Sequence, residues 1–466
     1  MKKSFCLTWA FLTLLAAAVS CVSATDQVYL TIVPPGLVTD KVDLDVRVGV
    51  VNDSDESRDY EISVYLDDVM DGTLLHEGRL TLEPSSADYA GFKVPTSGMT
   101  GDRKIVTVVK EGRKKTIVEE GFEVMPSEIR STELVEGAWI GIYHWSEIEG
   151  LHWNSDIKEM TAENWKEMVR AMNSVGMNTI VIQEMFRNEE YVGKHSLTME
   201  SYSGKAFYPS DLYPGRMDVA YEDPLEAIMS EADLLGMDVL VGVGMFAWFD
   251  FTEESLRWHK AVAEELWSRY GSHDSFYGFY VSEECAGSLY MSEPTPEGKQ
   301  KRKDEIVDFF REFRQFTNTM APGKPVMLAT NSMGVPYGAD TYPRLLKHLD
   351  ILCPFGFARM PQGDLTGYEA AQMLQKFCDE AGSHLWFDLE AFLFNPDMSL
   401  YPRPIDEIVA DLTLLDNFEK ILCYQFPGVF NAPEIMSRTV GEERTIQLYD
   451  SYKAYREDLV SRMSHE

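Results

Sequence analysis

Hydrophobic and polar residues follow two different patterns along the chain. From about Thr25 to Met125, apolar and polar positions alternate in short runs such as VDLDVRVGVV and KIVTVVKEG, with turn-forming clusters between them. This period of two is typical of antiparallel strands that bury one face in a two-sheet sandwich. The sequence therefore predicts a small all-β domain of immunoglobulin-like architecture over residues 25–128. It lacks the Cys-Trp-Cys signature of true immunoglobulin domains. We expect it to act as a spacer; the alternative is a carbohydrate-binding module, which the small number of aromatic residues for an exposed sugar platform disfavours.

Beyond Ser127 the pattern changes to near-continuous apolar runs, which indicate parallel strands covered on both faces. Eight strands are predicted, at residues 139–145, 178–186, 238–246, 276–282, 325–331, 351–357, 384–390 and 421–427. Amphipathic helices are predicted at 162–174, 224–235, 253–270, 298–320, 342–348, 367–381, 405–418 and 445–460. Eight strand–helix units with right-handed crossovers predict an α/β fold, a (β/α)8 TIM barrel over residues 129–466. A doubly wound open sheet is the alternative, and the absence of a GxGxxG turn disfavours it.

The first residues predict a signal peptide over residues 1–24. Met1-Lys2-Lys3 is followed by the apolar run from Phe5 to Val19, which is the order of charge and hydrophobicity in such signals. The stretch ending at Cys21 resembles a bacterial lipoprotein box, while Val22-Ser23-Ala24 suits ordinary cleavage. We expect an outer-membrane or cell-surface lipoprotein held only by a lipid on Cys21, or a periplasmic or secreted protein if Cys21 is not lipidated.

Charge and cysteine spacing narrow the possible partners. The chain has 76 acidic and 42 basic residues and a net charge of −34, which disfavours a nucleic acid partner because phosphates require a basic surface. The cysteines after Cys21 lack CxxC spacing, so neither a metal site nor a disulfide framework is predicted. We predict no cofactor. Cys285, Cys353 and Cys423 lie in or after apolar strands and are expected to be buried free thiols.

Candidate chemistry lies where the predicted strands end, because the carboxyl ends of barrel strands meet at one mouth. Aromatic rings stack on the C–H faces of sugars, and carboxylates and amides bind hydroxyl groups, so this set predicts a cleft for an oligo- or polysaccharide. In strand order the residues are Tyr143, His144, Trp145, Glu184, Arg187, Trp248, Glu283, Glu284, Asn331, Arg359, Asp388, Glu390, Tyr424 and Gln425.

Two of these carboxylates form a predicted catalytic pair. Glycosidic bond cleavage needs two carboxyl groups on opposite sides of the anomeric carbon. Strands four and seven face each other across a barrel mouth, so we assign Glu284 as the acid/base and Glu390 as the nucleophile. Glu283 is expected to raise the pKa of Glu284 by like-charge repulsion. Glu184 is the alternative second carboxylate, and any of these groups could instead cap a following helix.

The segment GFYVSEE (278–284) resembles the strand-four motif of clan A glycoside hydrolases, in which a Gly-Trp strand ends on Asn-Glu. HLWFDLE (384–390) resembles their strand-seven nucleophile segment. The resemblance implies the same roles for Glu284 and Glu390. Glu283 stands in the place of the clan's Asn, and Tyr424 and Gln425 replace the usual strand-eight Trp.

From about Glu136 to Arg462 the chain is similar to uncharacterised glycosidase-like barrels of bacterial lipoproteins, grouped as a domain of unknown function. The shared motifs are a Gly-aromatic-Tyr strand that ends in Glu and a Tyr-Pro-Ser loop, here AFYPSDLYP (206–214). The resemblance implies a glycoside hydrolase. The alternative is a non-catalytic glycan-binding surface lipoprotein with a degenerate barrel, which the changes at Glu283 and strand eight favour. The long loop 188–223 is predicted to form a lid or wall of the cleft.

Overall fold

A computed structural model describes residues 27–188, 195–290, 293–358 and 365–463. Its first part is entirely β. The strands are β1 (Gln27–Val33), β2 (Gly36–Thr39), β3 (Leu44–Asn52), β4 (Arg58–Leu66), β5 (Leu74–Leu82), β6 (Ser86–Val94), β7 (Gly101–Glu111) and β8 (Lys114–Met125). They form a three-stranded sheet, β1-β3-β6, and a five-stranded sheet, β2-β8-β7-β4-β5. Alternating apolar residues from both sheets share one core, as the period-two pattern requires.

The second part alternates strands and helices. Its strands are β9 (Gly137–Ile140), β10 (Thr179–Ile182), β11 (Phe186–Arg187), β12 (Lys205–Ala206), β13 (Asp238–Gly242), β14 (Phe276–Cys285), β15 (Val326–Asn331), β16 (Ile351–Phe355), β17 (His384–Glu390), β18 (Phe392–Phe394), β19 (Leu400–Pro402) and β20 (Lys420–Tyr424). Its helices are α1 (Asn154–Lys158), α2 (Ala162–Ser174), α3 (Pro224–Leu235), α4 (Glu253–Tyr270), α5 (Pro296–Asn318), α6 (Tyr342–Leu345), α7 (Gly367–Ala381), α8 (Ile405–Leu414) and α9 (Glu443–Met463).

Eight parallel strands close into a barrel in the order β9-β10-β13-β14-β15-β16-β17-β20, and β20 pairs with β9. The predicted (β/α)8 barrel is confirmed, with a helix after every barrel strand. Two cores hold it together. One fills the space between strands and helices, and the other consists of Val33 and inward-facing strand residues such as Trp139, Tyr280 and Trp386.

Local sequence signals set the helix boundaries. The Thr161 side chain accepts a hydrogen bond from Asn164 N at the start of α2, and Asp223 accepts one from Glu226 N at the start of α3. Gly236 follows α3 with a φ of 62°, a left-handed conformation that glycine adopts without a Cβ clash. The first barrel strand is shorter than predicted, because the chain leaves the barrel after Ile140. Tyr143 and its neighbours therefore lie in the loop after β9.

The all-β region contacts the amino-terminal ends of the barrel strands. Arg47 from β3 pairs at 2.7 Å with Asp350, which directly precedes β16. Tyr277, at the start of β14, donates a 2.8 Å hydrogen bond to the carbonyl of Ile32. Lys420, at the start of β20, donates to the carbonyl of Pro35 at 3.0 Å. The region thus closes the bottom of the barrel and leaves the opposite mouth open.

Two further findings concern the whole described chain. Cys285, Cys353, Cys378 and Cys423 are buried free cysteines, which confirms the expectation for the three strand-associated thiols. No described helix combines the length and the apolarity that are needed to cross a bilayer.

Candidate active site

A cavity of about 220 Å³ lies at the carboxyl ends of the barrel strands. It contains five carboxylates and ten aromatic side chains, which matches the composition predicted for a sugar cleft. The lining residues are Trp139, Tyr143, His144, Trp145, Glu149, Gln183, Glu184, Arg187, Met245, Trp248, Phe249, Tyr280, Glu284, Asn331, Phe355, Asp388, Glu390, Phe392, Phe394 and Tyr424.

The alternation of side chains along β14 separates the two adjacent glutamates. Tyr280 and Glu284 line the cavity, whereas Phe279 and Val281 pack in the core outside the barrel. Successive strand residues point to opposite faces, so Glu283 shares the outer side with Phe279 and Val281. The structure thus brings Glu284 to the cavity and directs Glu283 away from it.

Glu283 is fully buried and holds the loop after β13. Its carboxylate accepts hydrogen bonds from Phe246 N at 2.6 Å and Ala247 N at 3.1 Å, and Asp250 N lies 3.5 Å away. Burial and then the charge of Asp250 raise the pKa of Glu283 to about 8, although these N–H groups oppose the rise. The prediction that Glu283 contacts substrate is wrong, because the strand pleat turns its side chain toward this loop and out of the cavity.

The seventh barrel strand delivers the other predicted carboxylates by the same alternation. Trp386 packs inside the barrel, and Asp388 and Glu390 follow it along the inward face to the cavity. Both carboxylate residues are buried. Arg403 donates a 2.9 Å hydrogen bond to the carbonyl of Glu390, which fixes the backbone at the strand end. Since β17 lies three places from β14 around the barrel, Glu284 and Glu390 approach the cavity from different sides.

Glu184 and Arg187 form a buried ion pair in the cavity wall. Arg187 Nε donates to Glu184 Oε1 at 2.7 Å, and Nη2 donates to the same oxygen. Nη2 also donates to the carbonyl of Tyr143 at 2.6 Å. The Tyr143 and Phe207 rings flank the guanidinium at 4.6 and 5.1 Å. Burial raises the pKa of Glu184, and Arg187 opposes that rise.

His144 is held as a neutral ring. Its Nδ1 accepts a 3.2 Å hydrogen bond from Ser146 N, so the proton of the neutral imidazole lies on Nε2. That atom is 3.4 Å from Glu149 Oε2. Burial and then Arg187 lower the pKa of His144 to about 3. His144 therefore adds no positive charge to the cavity, and both of its ring nitrogens already face a partner.

Aromatic rings form the floor and rim. Trp139 and Tyr280 meet edge to face at 5.9 Å on the floor. On the rim, Trp145 is 45% exposed and lies 6.3 Å from Trp248. Tyr424 is in edge contact with His144 at 6.2 Å, and burial followed by the charges of Glu184 and Glu284 keeps its phenol pKa well above 10. Tyr424 therefore stays protonated and can donate a hydrogen bond.

The sequence also predicts substrate contacts for Asn331, Gln425 and Arg359. Asn331 lines the cavity, and its Oδ1 accepts from Gly287 N at 3.1 Å and Met333 N at 3.0 Å. Gln425 is buried beside Gly141 and is not among the residues that line the cavity. A substrate contact of Gln425 therefore stays a prediction. Arg359 lies outside the described residues.

Sequence reasoning missed several lining residues. The period of two extended back from Glu284 would have identified Tyr280. Phe392 and Phe394 belong to the β18–β19 hairpin, which follows β17 directly. Two aromatic residues spaced two positions apart just after a strand end could have identified them as lining residues. The described part of the predicted wall, residues 195–223, lies behind the lining rather than in it: Phe207, for example, packs on Tyr143 at 5.4 Å.

Comparisons with known proteins give one family and several distant structural relatives. Residues 135–437 match the family described as Domain of unknown function (DUF4434). No functionally curated protein matches the chain.

The solved structures include a candidate alpha-L-fucosidase from Bacteroides thetaiotaomicron, with 14% identity and a TM-score of 0.49 over 71% of this chain and 96% of that one. A beta-glucuronidase from Bacteroides uniformis has 13% identity and a TM-score of 0.42, over 92% of this chain and 50% of that one. A GH2 beta-galacturonidase from Eisenbergiella tayi has 12% identity and a TM-score of 0.38, over 88% and 69%. These similarities are too low to assign an activity.

Proposed function

The chain belongs to the family described as Domain of unknown function (DUF4434), and we propose that this member is a glycoside hydrolase of the clan A type. One observation carries the proposal: Glu284 and Glu390, from the fourth and seventh strands of a closed barrel, line the same aromatic cavity. Active sites of such barrels lie at this end of the strands. Two carboxyl groups that reach one sugar-sized cavity from different strands are the minimum that glycosidic cleavage requires.

In the proposed mechanism, Glu284 donates a proton to the glycosidic oxygen as the bond from that oxygen to the anomeric carbon breaks. A carboxylate oxygen of Glu390 bonds to the anomeric carbon from the opposite face. Glu284, now ionised, takes a proton from water, and the resulting hydroxide displaces Glu390. Two displacements retain the anomeric configuration. Proton NMR of the first-formed product tests this order, because an inverted product would make Glu390 a base rather than a nucleophile.

The mutational test uses isosteric variants. Glu284→Gln and Glu390→Gln keep the side-chain volume but remove the acid and the nucleophile, so turnover of the best substrate in an aryl glycoside panel should fall at least about 100-fold. Glu159→Gln, an exposed change of the same charge outside the cavity, is the matched control and should retain turnover. Full activity in either cavity variant would remove that residue from the mechanism.

A glycan array separates this function from its alternative, a non-catalytic glycan-binding protein. Binding with product release supports the hydrolase. Binding to the same glycans without product for any of them would instead support the degenerate barrel.

We also propose export with a lipid on Cys21, and an immunoglobulin-like arrangement of the all-β region. The contacts of that region with the barrel bottom suit a rigid mount that directs the cavity away from the attachment point. Mass spectrometry of the mature protein tests the anchor: an acylated Cys21 at the amino terminus supports it, and a mature chain that begins after Ala24 contradicts it.

A further inference from the structure

The Tyr-Pro-Ser loop, residues 206–214, is bound to one carboxylate of helix α4. The Tyr208 hydroxyl and Ser210 Oγ both donate to Glu265 Oε2, and the Ser210 bond measures 2.7 Å. Asp211 N donates to the other carboxylate oxygen at 2.6 Å. The Glu265 side chain is 11% exposed, and hydrogen bonds to a charged acceptor are about twice as strong as neutral ones. Three donors of the loop thus share one strong acceptor on α4.

The same loop contacts β11 and the residue before it. Phe207 N donates to the carbonyl of Met185 at 2.9 Å, and Ala206 pairs with Phe186 where β12 meets β11. The Tyr208 ring meets the Phe186 ring edge to face at 5.6 Å. Phe207 and Tyr208 are fully buried. A close-packed interior transmits small displacements, so the position of the loop sets the position of β11.

Strand β11 carries Arg187, which contacts both the loop and the cavity wall. Its guanidinium lies 5.1 Å from the centre of the Phe207 ring and 4.6 Å from that of the Tyr143 ring. It donates to Glu184 Oε1 at 2.7 Å and to the carbonyl of Tyr143 at 2.6 Å. Glu184, Arg187 and Tyr143 line the cavity, whereas Glu265 and the loop are not among its described lining residues. A continuous set of contacts thus joins α4 to the cavity wall.

We propose that Glu265 is a positioning residue for the cavity, and that it acts through the Tyr-Pro-Ser loop and Phe207 on the Glu184–Arg187 pair. Its carboxylate holds the loop, the loop holds β11 and the Phe207 ring, and these fix the guanidinium that orients Glu184. A displacement of about 1 Å in a binding group can cost about 100-fold, so loss of the Glu265 attachment should weaken sugar binding. The binding of sugar by Glu184 rests on the proposed function, whereas the positioning itself does not.

Hydrogen exchange measured by mass spectrometry tests the positioning without a ligand. Glu265→Ala removes the shared acceptor, so the amides of residues 185–187 should exchange at least about tenfold faster than in wild type. Glu264→Ala, an exposed change on the same helix, is the matched control and should leave their exchange unchanged. Strand β16 lies opposite β10 in the barrel, and unchanged exchange there shows that the fold is intact. Faster exchange confined to α4 and residues 206–214 would overturn the proposal.

Sugar binding gives a second readout, and the cavity-lining Trp145 and Trp248 report it by fluorescence. Titrations use the Glu390→Gln protein, so that the best-binding glycan of the array is bound without being cleaved. Glu265→Ala should raise its Kd at least about tenfold, and Glu265→Gln, which keeps an acceptor oxygen, should restore the Kd to within about threefold. In a Phe207→Leu background, Glu265→Ala should raise the Kd less than about twofold, because the ring contact with the guanidinium is already absent. Additive losses would overturn the route through Phe207.

The two experiments separate this inference from the proposed function. A wild-type protein that neither binds nor cleaves any glycan would overturn the hydrolase, and the exchange experiment would still decide the positioning. Glycan cleavage by wild type together with unchanged exchange at residues 185–187 in folded Glu265→Ala would overturn the positioning and leave the hydrolase standing. If Glu265→Ala does not fold, Phe207→Leu takes its place and should speed exchange at residues 185–187 at least about threefold. No change in that variant would overturn the inference.

Discussion

Removing the Glu283 carboxylate should release the loop that carries Trp248 and Phe249 into the cavity wall. Glu283 is fully buried, and Phe246 N and Ala247 N both donate to its Oε1, at 2.6 and 3.1 Å. Glu283→Ala leaves both N–H groups buried without an acceptor. Glu283→Gln keeps an amide oxygen at the Oε1 position and therefore both hydrogen bonds.

The expected loss of stability in Glu283→Ala follows from these two hydrogen bonds. A buried donor left without a partner costs about 1–3 kcal/mol, so Glu283→Ala should lower the free energy of unfolding by roughly 2–6 kcal/mol. That is a large part of the roughly 5–15 kcal/mol typical of native proteins. Glu283→Gln should stay within about 1 kcal/mol of wild type at pH 5. Because the loop carries Trp248 and Phe249, the Ala variant should also bind sugar more weakly than the Gln variant.

The pH dependence of folding stability gives a second test of the role of Glu283. Burial, aided by Asp250, raises the pKa of Glu283 from 4.5 to about 8. The folded state therefore retains a proton that the unfolded chain releases above about pH 4.5. This contribution to stability is fully present below that pH and is lost as the pH rises through about 8. At about 1.36 kcal/mol per pKa unit, the loss is at most about 5 kcal/mol. Glu283→Gln carries no titrating proton and should lack this loss.

Equilibrium urea denaturation of wild type and both variants at pH 5, 7 and 8.5 measures these differences, and tryptophan fluorescence titration measures sugar binding. The stability advantage of Glu283→Gln over wild type should grow with pH. The reasoning is refuted if Glu283→Ala is as stable as wild type, or if Glu283→Gln loses as much stability as Glu283→Ala at pH 5. An identical pH dependence in wild type and the Gln variant would refute the proton linkage.

Two further changes test the interface and the rim. Asp350 pairs with Arg47 and Arg314 at 2.7 Å each, and removing one partner from a buried ionic group is strongly destabilising, so Asp350→Asn should cost about 3–5 kcal/mol in urea denaturation. An unchanged midpoint would show that the all-β region is not held by this group. Trp145 is 45% exposed, so Trp145→Ala should change stability by less than about 0.5 kcal/mol but weaken sugar binding several-fold. Trp145→Phe should keep most of the affinity; equal affinity in all three proteins would exclude Trp145 from the sugar site.

The barrel could be predicted from the sequence because its cause is local. Strands buried on both faces must be apolar throughout, and the helices that cover them must carry an apolar stripe. The pattern of hydrophobic and polar residues therefore predicts the order of strands and helices. The strand-end rule then located Glu284, Asp388 and Glu390. The period of two also predicts the direction of the Glu283 side chain, because a strand that presents Tyr280 and Glu284 to one side presents Glu283 to the other.

Other features depend on contacts between segments that are distant in the sequence. Nothing near Arg187 in the sequence indicates that its guanidinium binds the carbonyl of Tyr143, a contact that joins the loop after β9 to the Glu184–Arg187 pair. The docking of β3 on the barrel bottom through Arg47 and Asp350 joins residues about three hundred positions apart. The sequence by itself therefore determined the fold class and the carboxylates available for chemistry. Only the tertiary structure decided which of them share a cavity, because burial, ion pairing and hydrogen-bond satisfaction arise where separate strands and loops meet.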